Sequence, residues 1–407
     1  MRAIVRLQWR RHGVALVCAA LVVSGCSSAT SASSPRASAT PTESPSTSSS
    51  TPTTAPATVS VTPGNGATKV RPQTPIVVRA AGGTLTSVTV TDGDGGAVQG
   101  AISDDGASWT SSGGLALKRR YTVRAVATND QGRLTSLTSR LDTVRPKDSA
   151  DFYLLPSDGG TVGVGMPVVV QFAGLVDEDK RDDIEKRVSV STSPKVAGSW
   201  GWLDARQLVW RPAKYWTPGT TVRVKADLAG VETRPGIWTM RNASASFRIG
   251  SAMISTVDIK AHTLTVRRNG EVLRTIPITT GKKGFETRRG TKVILSRETT
   301  RQMDAETTGL AKSDPEYYNI KVKYAMRLTW SGEFLHAAPW SVGSQGRANV
   351  SHGCTGMSTA HARWLFQNSK LGDVVTYVGS RRPLESYNGY TMWNMSLAEW
   401  ATHSALV

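Results

Sequence analysis

The chain has almost no cysteine with which to staple itself: three in 407 residues. Cys18 lies inside the N-terminal apolar stretch, Cys26 closes that stretch, and Cys354 is remote from both. If the N-terminus is processed, only Cys26 and Cys354 remain, and a lipid on Cys26 would exclude any internal disulfide. A leftover thiol in an exported chain is either reactive or a small buried hydrophobe. Long apolar runs are also missing after the N-terminus, which excludes a multispanning protein. Acid is scarce: 31 Asp and Glu face 49 Lys and Arg, for a formal charge of +18. The basic residues are scattered and carry no RNP, helix-turn-helix or zinc-finger signature, so no nucleic-acid partner is expected. They fit a general attraction to an anionic cell envelope.

What the N-terminus does contain is informative. Arg2, Arg6, Arg10 and Arg11 form a positive leader, and Gly13 to Val23 is an apolar stretch too short to span a membrane. Val23-Ser24-Gly25-Cys26 then resembles a bacterial lipobox, in which the Cys26 thiol is lipidated and becomes the mature N-terminus. The alternative is an ordinary signal peptide with a chance cysteine. Residues 1–25 are thus expected to be a lipoprotein signal. The rest is expected outside the cytoplasm, anchored to the outer face of the cell membrane and acting in the wall.

Residues 26–58 are almost purely Ser, Thr, Pro and Ala after the cysteine. Such a segment buries too little apolar surface to offset chain entropy and reads as a disordered tether. As a flexible coil it spans about 30 Å, and fully extended about 100 Å. From 59 to 148, and again from 149 to 250, short alternating strands are separated by turns (SVTVTDGDGG, YTVRAVATNDQG; PVVVQF, TTVRVKADLAG). Two consecutive immunoglobulin-like β-sandwiches fit this pattern. Trp109, Trp200, Trp202, Trp210 and Trp216 fit sandwich cores better than a sugar-stacking surface. Residues 251–379 are again strand-rich, with Asn269-Gly270 marking a hairpin and a helix after Ser358. The extension 380–407 keeps four aromatics and is expected to pack on the third domain. The fold class is therefore mainly β.

The chemistry concentrates in FLHAAPWSVGSQGRANVSHGCTGMS. A thiol becomes a nucleophile when an imidazole or a positive dipole populates its thiolate. Cys354 has His352 two residues before it and His336 eighteen residues upstream, which a hairpin would bring back beside the thiol. Gly353 and Gly356 permit backbone conformations closed to other residues. The amides of His352, Gly353 and Cys354 are candidates for an oxyanion hole, and the following helix would add its dipole. A metal site of His336, His352, Cys354 and His361 lacks the paired-ligand spacing of zinc sites, so no metal or cofactor is expected.

His336 followed, after a spacer, by Ser351-His352-Gly353-Cys354 resembles the catalytic motif of the L,D-transpeptidase (YkuD-type) family. The layout is similar to its actinobacterial, mycobacterial-type lipoproteins with two immunoglobulin-like domains. The resemblance implies Cys354 as nucleophile, His336 as base held by the Ala337 carbonyl, His352 shaping the loop, and the amides around Gly353 and Cys354 forming the oxyanion hole. It places Tyr318, Met303, Trp340, Ala337 and Ser351 along the substrate cleft. It implies a reaction on peptidoglycan stem peptides: attack on a donor tetrapeptide, release of D-alanine and a 3→3 cross-link. Carbapenem β-lactams would acylate the same thiol. One departure stands out: the family motif usually continues Cys-Leu-Asn, whereas this chain has Cys354-Thr355-Gly356. Two other readings remain: the same acyl-enzyme used for hydrolysis, D-amino-acid exchange or protein attachment, or a non-catalytic wall-binding lipoprotein.

Overall fold

The structure, a computed structural model, describes residues 55–407. The signal, Cys26 and nearly all of the tether lie outside the described residues. Folded structure begins slightly earlier than the composition suggests, because Ala57 is buried in the first sandwich and its first strand is Thr58–Thr62.

In that sandwich, one sheet orders strands Thr58–Thr62, Val77–Ala81, Ser108–Ser111 and Gly100–Ile102. The other orders Ala67–Val70, Leu134–Thr143, Arg120–Thr128 and Thr84–Asp92. Inward-facing Val78, Val90, Trp109, Val123 and Leu141 fill the space between them, as the two-residue strand period requires. The second sandwich faces a Phe152–Leu155, Val168–Phe172, Gln207–Pro212, Gly198–Asp204 sheet against a sheet containing Val188–Ser193, Thr221–Ala226 and Ala243–Ile249. Trp202, Trp210 and Trp216 are buried in its core and Trp200 packs at the core's edge. The tryptophans are therefore packing residues.

The third domain also has two sheets. One runs Glu271–Pro277, Thr263–Arg268, Met253–Asp258, Val374–Val378, Gly290–Val293; Asn269 and Gly270 take positive φ values (51° and 94°) at its hairpin. The other runs Ser296–Asp304, Asn319–Arg327, Phe334–Ala337, Thr355–Met357. The helix Thr359–Asn368 packs on its strands, with Ser358 Oγ accepting from His361 N–H as the N-cap.

The C-terminal extension departs from expectation. Its first half does bind the third domain: Leu384 N–H donates to Arg289 O, and Asn394 Oδ1 accepts from Thr291 N–H. Its second half enters the core of the second sandwich. Trp400 is fully buried there, Trp393 Nε1 donates to Gly165 O, and Arg211 donates to Met395 O and lies over the Trp393 ring. Gly201 leaves the space that the Trp400 ring fills. The extension is thus a strap across two domains, because its aromatics match an apolar pocket some two hundred residues upstream.

Where those two domains meet, Gly163 and Gly165 N–H groups donate to Leu371 and Gly372 carbonyls. Asp373 is buried beside them; its Oδ2 accepts from Lys370 N–H, while Oδ1 has no partner. Burial pushes this carboxyl up to about 7 from 3.8. A folded-state value above the unfolded one means the folded protein holds the proton more tightly. Stability contributed by the neutral acid is therefore present at low pH and lost as pH rises from about 4 through about 7, by as much as about 4 kcal/mol. Asp373→Asn is expected to be more stable than the parent at pH 8 and nearly equal to it at pH 4, as measured by denaturant unfolding.

Candidate active site

Two short strands build the site. Phe334–Ala337 is fully buried and apolar apart from His336, so the sheet holds that imidazole rigidly. Thr355–Met357 lies beside it with His336 opposite Gly356, and Cys354 is the residue just before this strand. The pairing is parallel. A hairpin does not bring His336 to the thiol; a crossover through the Pro339–Ser341 turn and residues 342–354 does. The strand also separates Cys354 from the helix at Thr359, so the helix dipole expected beside the thiol acts at a distance where it has faded.

Gly356 explains its own departure. It exchanges two backbone hydrogen bonds with Thr279, and a Cβ there would lie 2.9 Å from Ala338 Cβ and 3.1 Å from Thr279 Cγ2. There is no room for asparagine. Loop-holding falls instead to Asn349, whose Oδ1 accepts from Thr280 N–H and Oγ1–H while its Nδ2 donates to Ile259 O. Thr287 adds a second brace by donating from Oγ1 to Gly353 O and accepting from Gly281 N–H. Neither residue carries a motif that the sequence would reveal.

The loop itself is stitched by Ser351, whose Oγ donates to Cys354 O (2.6 Å) and accepts from Gly353 N–H (3.1 Å). That bond engages the Gly353 amide, leaving those of His352 and Cys354 as the oxyanion candidates. Gly353 has φ +117°, a conformation that side chains resist.

His336 is buried, and its Nδ1 lies 2.8 Å from Ala337 O. A carbonyl only accepts, so Nδ1 carries the proton and Nε2 presents a lone pair. Burial lowers the ring's proton affinity below the usual 6.5, outweighing the Ala337 contact. The Cys354 thiol is pushed up to about 12, first by burial, while the Phe334 N–H, Lys292 and Arg327 pull the other way. Its hydrogen bond runs to Gly332 O at 3.5 Å. The resting pair is therefore a neutral thiol and a neutral imidazole that line one cleft, with the thiol's hydrogen bond on Gly332 O rather than on the ring.

A cleft of about 420 Å³ opens over the thiol, lined by Cys354, His336, His352, Ser351, Tyr318, Met303 and Trp340 among others. Trp340 is exposed and stacks at 6.0 Å from His336. Tyr318, pushed up to about 12 by burial, packs 4.9 Å from the His352 ring. Ala337 differs from expectation: its side chain is buried away from the cleft, and it serves only through its carbonyl.

The segment 299–317, featureless in sequence, ends one arm of a hairpin and forms its lid. Strands Ser296–Asp304 and Asn319–Arg327 pair along their length, with the lid between them. From this lid Glu316 reaches down to His352 Nε2 (2.8 Å) and Lys282 Nζ (2.6 Å). Lys282 first, then His352, holds its carboxyl below the usual carboxylate range. The contact latches the lid over the cleft. Glu316→Gln is expected to raise the KM for substrate several-fold with kcat within about twofold, the mark of lost uniform binding. Steady-state kinetics check this.

A thiol, a buried imidazole and free amides around one apolar cleft define a thiol-dependent acyl-transfer enzyme of mainly β architecture. Comparison with known proteins agrees. Residues 252–376 match the L,D-transpeptidase catalytic domain and residues 67–232 a bacterial Ig domain. L,D-transpeptidase 2 of Mycobacterium tuberculosis (strain CDC 1551 / Oshkosh) is 36% identical over 342 residues, covering 84% of this chain and 83% of that protein. L,D-transpeptidase 5 of strain H37Rv (ATCC 25618) is 30% identical, covering 84% and 75%. The solved LD transpeptidase LdtMt1 in complex with imipenem aligns with a TM-score of 0.50 at 38% identity, over 58% of this chain and all of that one. The chain belongs to the L,D-transpeptidase family of cysteine-dependent acyltransferases.

Proposed function

We propose that the protein cross-links peptidoglycan by L,D-transpeptidation, with Cys354 as nucleophile and His336 as general base. The observation that carries this is the Cys354 thiol at the floor of a cleft whose adjacent strand holds a neutral, Nδ1-protonated imidazole. Cys354 Sγ attacks the L-centre carbonyl before the terminal D-alanine of a donor tetrapeptide, and the thiol proton passes to His336 Nε2. The peptide C–N bond breaks, and D-alanine leaves with that proton. The side-chain amine of an acceptor stem then attacks the thioester, giving its proton to His336. The thiolate departs, recovers the proton, and a 3→3 cross-link remains. His352 and Cys354 amides face the developing oxyanion, which supplies the usual preorganised stabilisation.

In this reading Tyr318, Met303, Trp340 and Ser351 contact the stem peptides. Carbapenems acylate the same sulfur. Lipidation at Cys26 holds the enzyme on the outer face of the membrane, and the tether and sandwiches carry the cleft into the wall. The test is incubation with a purified disaccharide-tetrapeptide. Dimers joined 3→3, with one D-alanine released per bond, support the reading. Hydrolysed tripeptide alone, or no product, contradicts it.

A further inference from the structure

Beneath the nucleophile lies a charged network that the mechanism above does not use. Lys292, on the strand Gly290–Val293, has no side-chain exposure and pairs with Glu333 Oε2. Glu333 is itself only 5% exposed, and its Oε1 also accepts from Arg288 N–H (3.0 Å) and guanidinium (3.1 Å). Arg288 is shared: its Nε lies 2.6 Å from Glu385 in the C-terminal strap. Glu385 in turn accepts from Asn388, which bonds Ser331. A buried ion pair is poor at stabilising a fold, since apolar residues of similar volume do as well or better. Its placement points elsewhere.

Glu333 sits in the chain between Gly332, whose carbonyl accepts from the Cys354 thiol, and Phe334, whose N–H faces the sulfur. Its Cγ and Oε1 also lie about 4 Å from where a Gly353 side chain would begin. Fixing this carboxylate therefore fixes the backbone on both sides of the thiol. The other groups that act on the sulfur are Arg327 on its strand, Tyr318 just after the lid and Tyr377 of Val374–Val378, while the two histidines line the same cleft. Lys292 lies 3.8 Å from the Tyr377 ring centre, and the Tyr377 hydroxyl bonds Thr355.

We propose that Glu333 is a positioning residue for the nucleophile, held by Lys292 and Arg288, and that the C-terminal strap acts on the thiol through the Arg288 that Glu333 and Glu385 share. The inference rests on Cys354 being the nucleophile, yet its test needs no transpeptidase substrate. Lys292 favours the Cys354 thiolate and Glu333 opposes it, so perturbing the two ends of the network moves the thiol in opposite directions.

The readout is the rate of Cys354 alkylation by iodoacetamide across pH 7–9.5, followed by intact mass on protein with native circular dichroism. Since the thiol titrates at about 12, a midpoint shift is read as the offset of the log-rate line. Lys292→Met leaves Glu333 less neutralised; the midpoint moves to higher pH and alkylation at pH 7.5 slows about tenfold, one pH unit. Glu385→Gln, at the partly exposed end, releases Arg288 wholly to Glu333; the midpoint moves to lower pH and alkylation speeds up about threefold, half a unit. A merely structural network shifts melting temperature and leaves both midpoints alone. Unmoved midpoints, or two shifts of the same sign, overturn the proposal. Should Lys292→Met fail to fold, Glu385→Gln decides alone: no acid shift overturns it. Failure of cross-linking in the wild type would count against the proposed function and leave this result intact.

Discussion

Cys354→Ala is expected to leave a folded protein that forms no covalent adduct with imipenem, whereas the wild type gains one adduct per chain. Cys354 is the free thiol among the described residues, and loss of the adduct in the alanine variant assigns the site to it. Cys354 packs, with Tyr318, against a small satellite core of Met303, Val322, Ala325 and Phe334. Removing one sulfur from this partly exposed edge costs about 1 kcal/mol or less, too little to unfold a domain with a separate main core. Loss of the adduct is then a loss of chemistry. Intact mass spectrometry beside a thermal melt checks both halves. An adduct on the alanine variant would place the nucleophile elsewhere.

His336→Gln should lower the acylation rate by about 10² to 10⁴, the range for a lost general base, while the fold persists. The pH dependence makes the expectation sharper. A base must be unprotonated to accept, and burial favours the neutral ring, so its working range extends below the usual 6.5. Wild-type acylation should therefore hold as pH falls to 6.5 and decline only on the acid side of it. The glutamine variant should show no such acid limb, because nothing remains there to titrate. A wild-type limb centred above pH 7 would mean that the imidazole is not desolvated as its burial requires. Stopped-flow or mass-resolved acylation across pH 4.5–9 measures it.

Much of the site was legible because its chemistry is local. The thiol, the imidazole two residues before it and the glycine between them fall within four residues, and turn chemistry such as Asn269-Gly270 is equally local. The sandwich cores could be read for a related reason: tryptophans on alternating strands have few places to go but inward. What could not be read depends on contacts between distant segments. Parallel pairing of Phe334–Ala337 with Thr355–Met357 leaves no hairpin turn to detect. Glu316 reaches His352 across 36 residues, and Lys292 reaches Glu333 across 41. A single charged residue in each of TKVIL and GEFLH was the one available signal, a lysine and a glutamate inside segments otherwise suited to burial. The destination of Trp400 was hidden because Gly201, which makes its space, advertises nothing by itself.

The electrostatics also sharpen the catalytic reading. An isolated thiol pushed up to about 12 is a poor nucleophile at neutral pH, and a desolvated imidazole is a modest base. Each is unfavourably placed for an ion pair at rest, so the proposed proton transfer belongs to the moment when a carbonyl occupies the cleft and the His352 and Cys354 amides begin to receive charge. The resting neutrality reserves the thiol's reactivity for bound substrate.

The central claim is that Cys354 takes an acyl group from a stem peptide and releases D-alanine. Its most direct measurement is acyl-enzyme capture: a donor tetrapeptide supplied without an acceptor, followed by rapid acid quench, intact mass and peptide mapping. The account predicts a thioester on Cys354 of wild-type protein, with D-alanine released in equal amount, and neither in Cys354→Ala. Stoichiometric D-alanine release without a Cys354 thioester, or release that persists in the alanine variant, would contradict it.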